Sequence, residues 1–261
     1  MSRNRRTGRR SPLASVALLL IGLLATGGAY ALVTSSATAS TTAQTEATVE
    51  EGEKLFLANC SSCHGIDAVG TTDAPSLVGV GAAAVDFQVG TGRMPMAASG
   101  PQAEAKPVQF TAEQIEAMAV YVATLGSGPG IPSEALLTSG DDVANGAELF
   151  RINCAMCHNV AGAGGALTEG KFAPDLKNVD PAHVYEAMVT GPQNMPVFSD
   201  LNITAEDKAD IIAYLEYLND NPSPGGLDLG GLGPVSEGLF VWIFALGAIV
   251  GVTVWLTSKA N

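Results

Sequence analysis

Two short clusters hold all four cysteines of this 261-residue chain: Cys60-Ser61-Ser62-Cys63-His64 and Cys154-Ala155-Met156-Cys157-His158. They also take two of its three histidines. Thiols spaced this way lie about one helical turn apart, which lets them bond to the two vinyl groups on one edge of a porphyrin. The imidazole of the next residue then lies under the iron. C-x-x-C-H is accordingly the spacing of covalent haem c attachment. Zinc needs four ligands, and each cluster offers three. A thioredoxin-like pair needs neither the following histidine nor a duplicate. The expectation is two haem c groups, one on Cys60 and Cys63 and one on Cys154 and Cys157, with His64 and His158 as axial iron ligands.

The second axial ligand must come from the opposite wall. Met94 and Met195 each precede a proline in a Gly-rich loop downstream of a cluster. Thioether with imidazole raises the iron potential and favours electron transfer over substrate binding. Met96 competes with Met94 in Arg93-Met94-Pro95-Met96, and only the repeat favours Met94. Met156 is too close to its own cluster, and Met118 and Met188 sit in helical patterns as core residues. A ligating histidine needs an acceptor on its other ring nitrogen; the carbonyls of Pro75 and Pro174 are assigned that task. His183, after Asp180-Pro181 at a helix start, is expected to be a solvated histidine. No residue is assigned a catalytic role.

The elements that position these residues occur twice. Gly52, Leu55, Phe56 and Asn59 before the first cluster recur as Gly146, Leu149, Phe150 and Asn153. Ala74-Pro75-Ser76-Leu77 recurs as Ala173-Pro174-Asp175-Leu176, Met94-Pro95 as Met195-Pro196, and Thr111-Ala112-Glu113 with Tyr121 as Thr204-Ala205-Glu206 with Tyr214. Two copies of one module follow, not a solenoid. Thr48-x-x-Glu51 and Thr111-x-x-Gln114 read as capping boxes. Ile115, Met118, Val122 and Leu125, and in the second copy Ile211, Leu215 and Leu218, keep helical spacing. About 80 residues with so few regular elements make a poor core unaided, so a bulky prosthetic group has to fill each module.

The formal charge of −13 is an average. Five arginines (Arg3, Arg5, Arg6, Arg9, Arg10) lie at the N-terminus and Lys259 near the other end, leaving seven basic against 26 acidic residues between, a net −19. No basic surface for nucleic acid exists in that body. Leu13 to Val33 is apolar or small and long enough to cross a bilayer, with the arginines on the cytoplasmic side. A cleaved signal competes with a retained anchor: Ala37-Thr38-Ala39 resembles a cleavage site, but the apolar run exceeds the length of a signal. Arg9-Arg10 resembles a twin-arginine signal only weakly. Gly238 to Ser258 is uncharged, with Trp242 and Trp255 towards its two ends, as expected of a spanning helix. The chain therefore divides into a cytoplasmic basic arm (1–12), a transmembrane helix or signal sequence (13–33), a flexible Ser/Thr/Ala tether (34–47), a first module (48–127), a second module (133–221), a Pro/Gly linker (222–237), a transmembrane helix (238–258) and a cytoplasmic tip (259–261).

Each module, with its first helix, CxxCH, Pro-Leu, Met-Pro and last helix in that order, resembles a class I cytochrome c. The resemblance implies that Gly52, Phe56 and Tyr121, and likewise Gly146, Phe150 and Tyr214, lie where terminal helices cross. The fold class expected is all-α: two tandem class I cytochrome c domains with N-terminal and C-terminal transmembrane helices. The tandem pair with its anchor is similar to the dihaem cytochrome c subunits of actinobacterial menaquinol–cytochrome c oxidoreductases, the cytochrome bcc (bc1-type) complexes. One departure is an extra loop, Ala97 to Phe110, in the first module, expected to shield a haem or contact a partner.

That resemblance implies a subunit of a respiratory, proton-translocating quinol–cytochrome c reductase in the cell membrane, its haem domains extracytoplasmic and both termini cytoplasmic. The chain itself would be an electron-transfer protein, relaying electrons from a Rieske iron–sulfur subunit through two covalent haems to an aa3-type cytochrome c oxidase in a supercomplex, beside a cytochrome b subunit. The −19 body would steer a cationic partner or simply solvate an exported surface. Two other readings are a membrane-anchored dihaem carrier serving a dehydrogenase or a cbb3-type oxidase, and a dihaem peroxidase. The last needs an exchangeable iron position, against which two candidate methionine ligands argue.

Overall fold

The computed structural model describes residues 12–98, 100–221 and 234–259. The basic arm (but for Pro12), most of the Pro/Gly linker and the last two residues of the tip lie outside the described residues. The first helix, α1, runs from Pro12 to Asn59 without a break. The segment 34–47, expected as a flexible tether, is helical instead. Between Gly28 and Gly52 the sequence holds neither glycine nor proline, and four alanines punctuate its Ser/Thr run, so nothing stops a helix already nucleated. Thr48 and Glu51 consequently open no helix, because a capping box satisfies free amides only where a helix begins.

Internal contacts divide the chain at Glu50–Glu51, inside α1, and both modules fall in the second unit. The first module takes the end of α1, α2 (Ser61–His64), α3 (Ala82–Gly90) and α4 (Ala112–Thr124). After α5 (Glu134–Leu137), the second takes α6 (Val143–Asn153), α7 (Ala155–His158), β1 (Gly165–Ala166), β2 (Phe172–Ala173), α8 (Pro181–Thr190) and α9 (Ala205–Asp220). The ribbon β1–β2, pairing Gly165 with Ala173 and Ala166 with Phe172, is the one sheet among the described residues of a mainly helical chain.

In each module the first and last helices cross at a glycine. A Cβ on Gly52 would stand 2.0 Å from the carbonyl oxygen of Ala117, and one on Gly146 would stand 2.0 Å from that of Asp210. One turn further on, Phe56 meets Tyr121 with ring centroids 5.4 Å apart, and Phe150 meets Tyr214 at 5.6 Å. α4 and α9 each begin with a complete capping box, Thr111 with Gln114 and Thr204 with Asp207. The second core gathers Phe150, Val184, Tyr185, Met188, Ile211, Ile212 and Leu215.

Burial along α3 alternates: Ala83, Val85, Phe87 and Val89 are buried. At 100° per residue, Ala83 and Phe87 share one side and Val85 and Val89 the opposite one. α3 is thus covered twice, by α4 of its own module and by α8 of the other, and this keeps the two modules in one unit.

At the other end of the chain, α10 (Pro234–Phe240), a π-helical stretch (Val241–Leu246) and α11 (Gly247–Lys259) continue one another. Ser236–Lys259 is long and apolar enough to cross a membrane, and none of the residues in its apolar window is buried within the protein. In α1, the apolar stretch is Val16–Gly28 among described side chains, shorter than a span.

Candidate haem-binding sites

Both C-x-x-C-H clusters fold as a single helical turn. The His64 and His158 amides donate to the carbonyls of Cys60 and Cys154 at 2.9 Å, and those of Cys63 and Cys157 to the same carbonyls at 3.1 Å. Gly65 and Asn159 then take positive φ values of 81° and 66°, which turn the chain back on itself. The returning loop is tied at matching points: the Gly70 amide donates to the His64 carbonyl and that of Gly164 to the His158 carbonyl, both at 2.9 Å. Both glycines have positive φ, and a Cβ on either would stand within 2.6 Å of the segment that carries the proline, at Ser76 N or Ala173 O. Only glycine lets that segment approach closely enough to reach the histidine.

The result is one contact made twice. His64 Nδ1 lies 2.8 Å from the Pro75 carbonyl and His158 Nδ1 lies 3.0 Å from that of Pro174. A carbonyl only accepts, so each Nδ1 carries the proton and Nε2 keeps its lone pair. Both rings are buried. Burial holds His158 below the usual histidine range, against the opposing pull of the Pro174 carbonyl, which keeps the ring in the neutral, metal-binding form. Burial, then Cys157, pushes the Cys154 thiol up to about 11, and burial, then Cys63, raises Cys60. A redox-active dithiol needs the opposite shift.

In the second module the expected residues come together around one cavity of about 350 Å³, lined by Cys154, Cys157, His158, Pro174 and Met195, with Phe198 and Leu215 among its apolar walls. Paired thiols at one edge, an oriented imidazole, a thioether and apolar walls are the donor set and surroundings that a covalent haem requires. In the first module Cys60 is half-buried, Cys63 exposed and His64 buried beside Pro75, while Met94 and Met96 are both half-buried on the loop after α3. Met118 and Met188 are core residues, and Met156 is 91% exposed.

Several wall residues of the second cavity belong to the first module: Phe87, Arg93, Gln102 and Ala105. Gln102 bonds the backbone of Phe172 twice, its Nε2 donating to the carbonyl at 2.9 Å and its Oε1 accepting from the amide at 2.8 Å. It thereby pairs with β2 as another strand would. Lys106 Nζ returns the loop to its base by donating to the Pro95 carbonyl at 2.8 Å. Sequence reasoning missed these wall residues; the one signal was the extra length of the 97–110 loop. It also missed Lys208, wholly buried, whose Nζ donates to Asp200 Oδ1 at 2.5 Å and to the Ile203 carbonyl at 2.8 Å. These bonds close the loop that runs from Met195 into α9. His183 is a correction: it is half-buried in α8, with Phe87 edge-on at 6.2 Å between ring centroids, and not a solvated residue.

Fold and sites together define a protein of two tandem cytochrome c domains, a class that carries covalently bound haem c and transfers electrons. The family described as "Cytochrome C oxidase, cbb3-type, subunit III" matches twice, over residues 47–122 and 141–215. Along 99% of its length the chain is 43% identical to a cytochrome bc1 complex cytochrome c subunit of Corynebacterium efficiens, covering 93% of that protein. Its counterparts in Corynebacterium diphtheriae and Mycobacterium bovis are each 42% identical over 99% of this chain and 98% and 95% of theirs. The chain belongs to the family of cytochrome bc1 complex cytochrome c subunits.

Proposed function

We propose that this chain is the dihaem electron-transfer subunit of a respiratory quinol–cytochrome c reductase. Cys60 and Cys63 would attach one haem, with His64 and Met94 as axial ligands. Cys154 and Cys157 would attach the other, with His158 and Met195. The observation that carries this reading is the duplicated histidine–proline contact, which aims an imidazole lone pair away from the backbone immediately after a pair of thiols. Each haem, when bound, supplies a one-electron iron couple. The chain's own residues do the rest. The Pro75 and Pro174 carbonyls orient the imidazoles and strengthen them as donors. Apolar walls would exclude water, and Met94 and Met195 as iron ligands would leave no exchangeable position for substrate, which disfavours a peroxidase. Gln102 and Ala105 close one side of the second cavity, so the 97–110 loop would shield a haem held by the other module.

Modules at 48–127 and 133–221 would stand outside the cell membrane, between spans at 13–33 and 238–258, with both termini in the cytoplasm. Electrons would enter from a Rieske iron–sulfur subunit beside cytochrome b and leave to an aa3-type oxidase. The alternative, a tethered carrier for a cbb3-type oxidase, draws on the family model, whose two matches stop at the modules. The bc1-complex relatives align along the anchors as well. Native mass spectrometry of the gently solubilised protein tests both readings. Two covalent haems and co-purifying cytochrome b and iron–sulfur subunits support the proposal. A haem-bearing chain recovered without them overturns it in favour of the carrier.

A further inference from the structure

Where α3 of the first module meets α8 of the second, three side chains converge that the haem chemistry does not use. Asp86, His183 and Glu186 bring one ligand atom each to within 4.8 Å of one another. His183 and Glu186 are three residues apart on α8 and share its face. His183 Nε2 is 3.8 Å from Asp86 Oδ2. Glu186 is 0% exposed, and neither carboxylate oxygen has a hydrogen-bond donor. Left charged, such a carboxylate would be among the costliest groups to bury, so it requires either a proton or a cation. The guanidinium of Arg93, just past α3, lies over the Phe87 ring, 4.8 Å from the centroid. Room for the imidazole is provided by Gly90, where a Cβ would stand 2.9 Å from His183 Nε2.

We infer that Asp86, His183 and Glu186 form a zinc-type divalent cation site that joins the two modules. One imidazole nitrogen and two carboxylate oxygens are the donors of three-ligand zinc sites, with water as the fourth ligand. At metal–ligand distances of about 2.0–2.2 Å, a modest side-chain adjustment closes the cluster around one ion. Asp86 and His183 are half-buried, which leaves a path for the ion and its water. Zinc also undergoes no redox chemistry of its own, so it sits beside electron-transfer centres without short-circuiting them. His183 is the histidine that the two C-x-x-C-H clusters leave over. Burial first, then Asp86 and Asp180, pushes the Glu186 carboxyl up to about 9.

The test uses the full chain with its haems in detergent, stripped of loosely held metal with EDTA and titrated with ZnCl2. Calorimetry should show one zinc per chain, and elemental analysis after dialysis should find that zinc retained. Asp86→Asn, His183→Asn and Glu186→Gln should each weaken binding at least about 100-fold, the upper end of what losing an outer partner alone costs a metal site, with the haem spectrum unchanged. Glu186→Gln guards against misfolding, since it keeps the side-chain volume and removes the buried acid. No zinc retained by the parent chain, or equal retention by all three variants, overturns the site.

Discussion

The two modules share one plan and depart from it in two places, and the departures meet. From histidine to proline the first module needs 11 positions and the second 16. The added residues form the β1–β2 ribbon. From the Met-Pro methionine to the cap of the last helix, the first module spends 17 positions (Met94 to Thr111) and the second nine (Met195 to Thr204). The added residues form the loop that carries Gln102. Gln102 then binds Phe172 of the ribbon. What is common to the modules builds the candidate haem sites, and what differs adds a second tie between modules that α3 and α8 already hold together. A further difference, of a single residue, lies inside the last helix, where Ile115 in the first module corresponds to Lys208 in the second.

The largest effect that separates the modules is loss of one attachment site. Cys154→Ala with Cys157→Ala should halve the haem absorbance in a haemochrome assay and unfold the second module. Cys60→Ala with Cys63→Ala should do the same to the first. Next comes the helix crossing. Gly146→Val forces a side chain onto the Asp210 carbonyl and should cost about 3 kcal/mol or more, read from denaturant melts. Gly52→Val should cost the first module a similar amount.

The acid between the modules makes stability depend on pH. Glu186 has a raised folded-state value, about 9 against 4.5. Its neutral form is the one folding tolerates, so the stability it permits is whole below about 4.5 and is lost as pH rises towards 9. In EDTA, Glu186→Gln should therefore gain on the parent chain progressively over that window, by up to about 3 kcal/mol at pH 7. Thermal melts across pH 5–9 check the sign. A stability difference independent of pH would show that the carboxyl is not the titrating group.

Lys208→Met, which puts an apolar side chain where the first module has Ile115, should cost about 2 kcal/mol, since the Ile203 carbonyl and Asp200 lose a charged donor. Faster exchange of amides between Met195 and Thr204, with no change around Met94, is the signature to seek. Gln102→Ala should cost about 1 kcal/mol. It should shift the reduction potential of the second haem while leaving the first in place. Equal shifts in both would break the assignment of the loop to the second cavity.

How much was legible beforehand follows from range in the chain. Cys60, Cys63 and His64 act through contiguous spacing, which a helical turn converts directly into geometry, and the same holds for Cys154, Cys157 and His158. The cap at Thr111 was likewise readable from its Thr-x-x-Gln spacing, and the helix crossings at Gly52 and Gly146 followed from the resemblance to class I cytochromes c. Composition misled at 34–47, where a Ser/Thr-rich run without a breaker continues a helix.

The sequence by itself determined the attachment chemistry, the duplicated module, the acidic body and the apolar C-terminal helix, since each resides in local spacing or composition. Tertiary structure alone decided that the 97–110 loop closes the other module's cavity, that α3 is covered on both sides, and that Asp86 faces His183 and Glu186. Those contacts join residues about 70 to 100 positions apart, such as Gln102 with Phe172 and Asp86 with His183. No periodicity encodes such a pairing. It arises only when two folded modules bury a shared face.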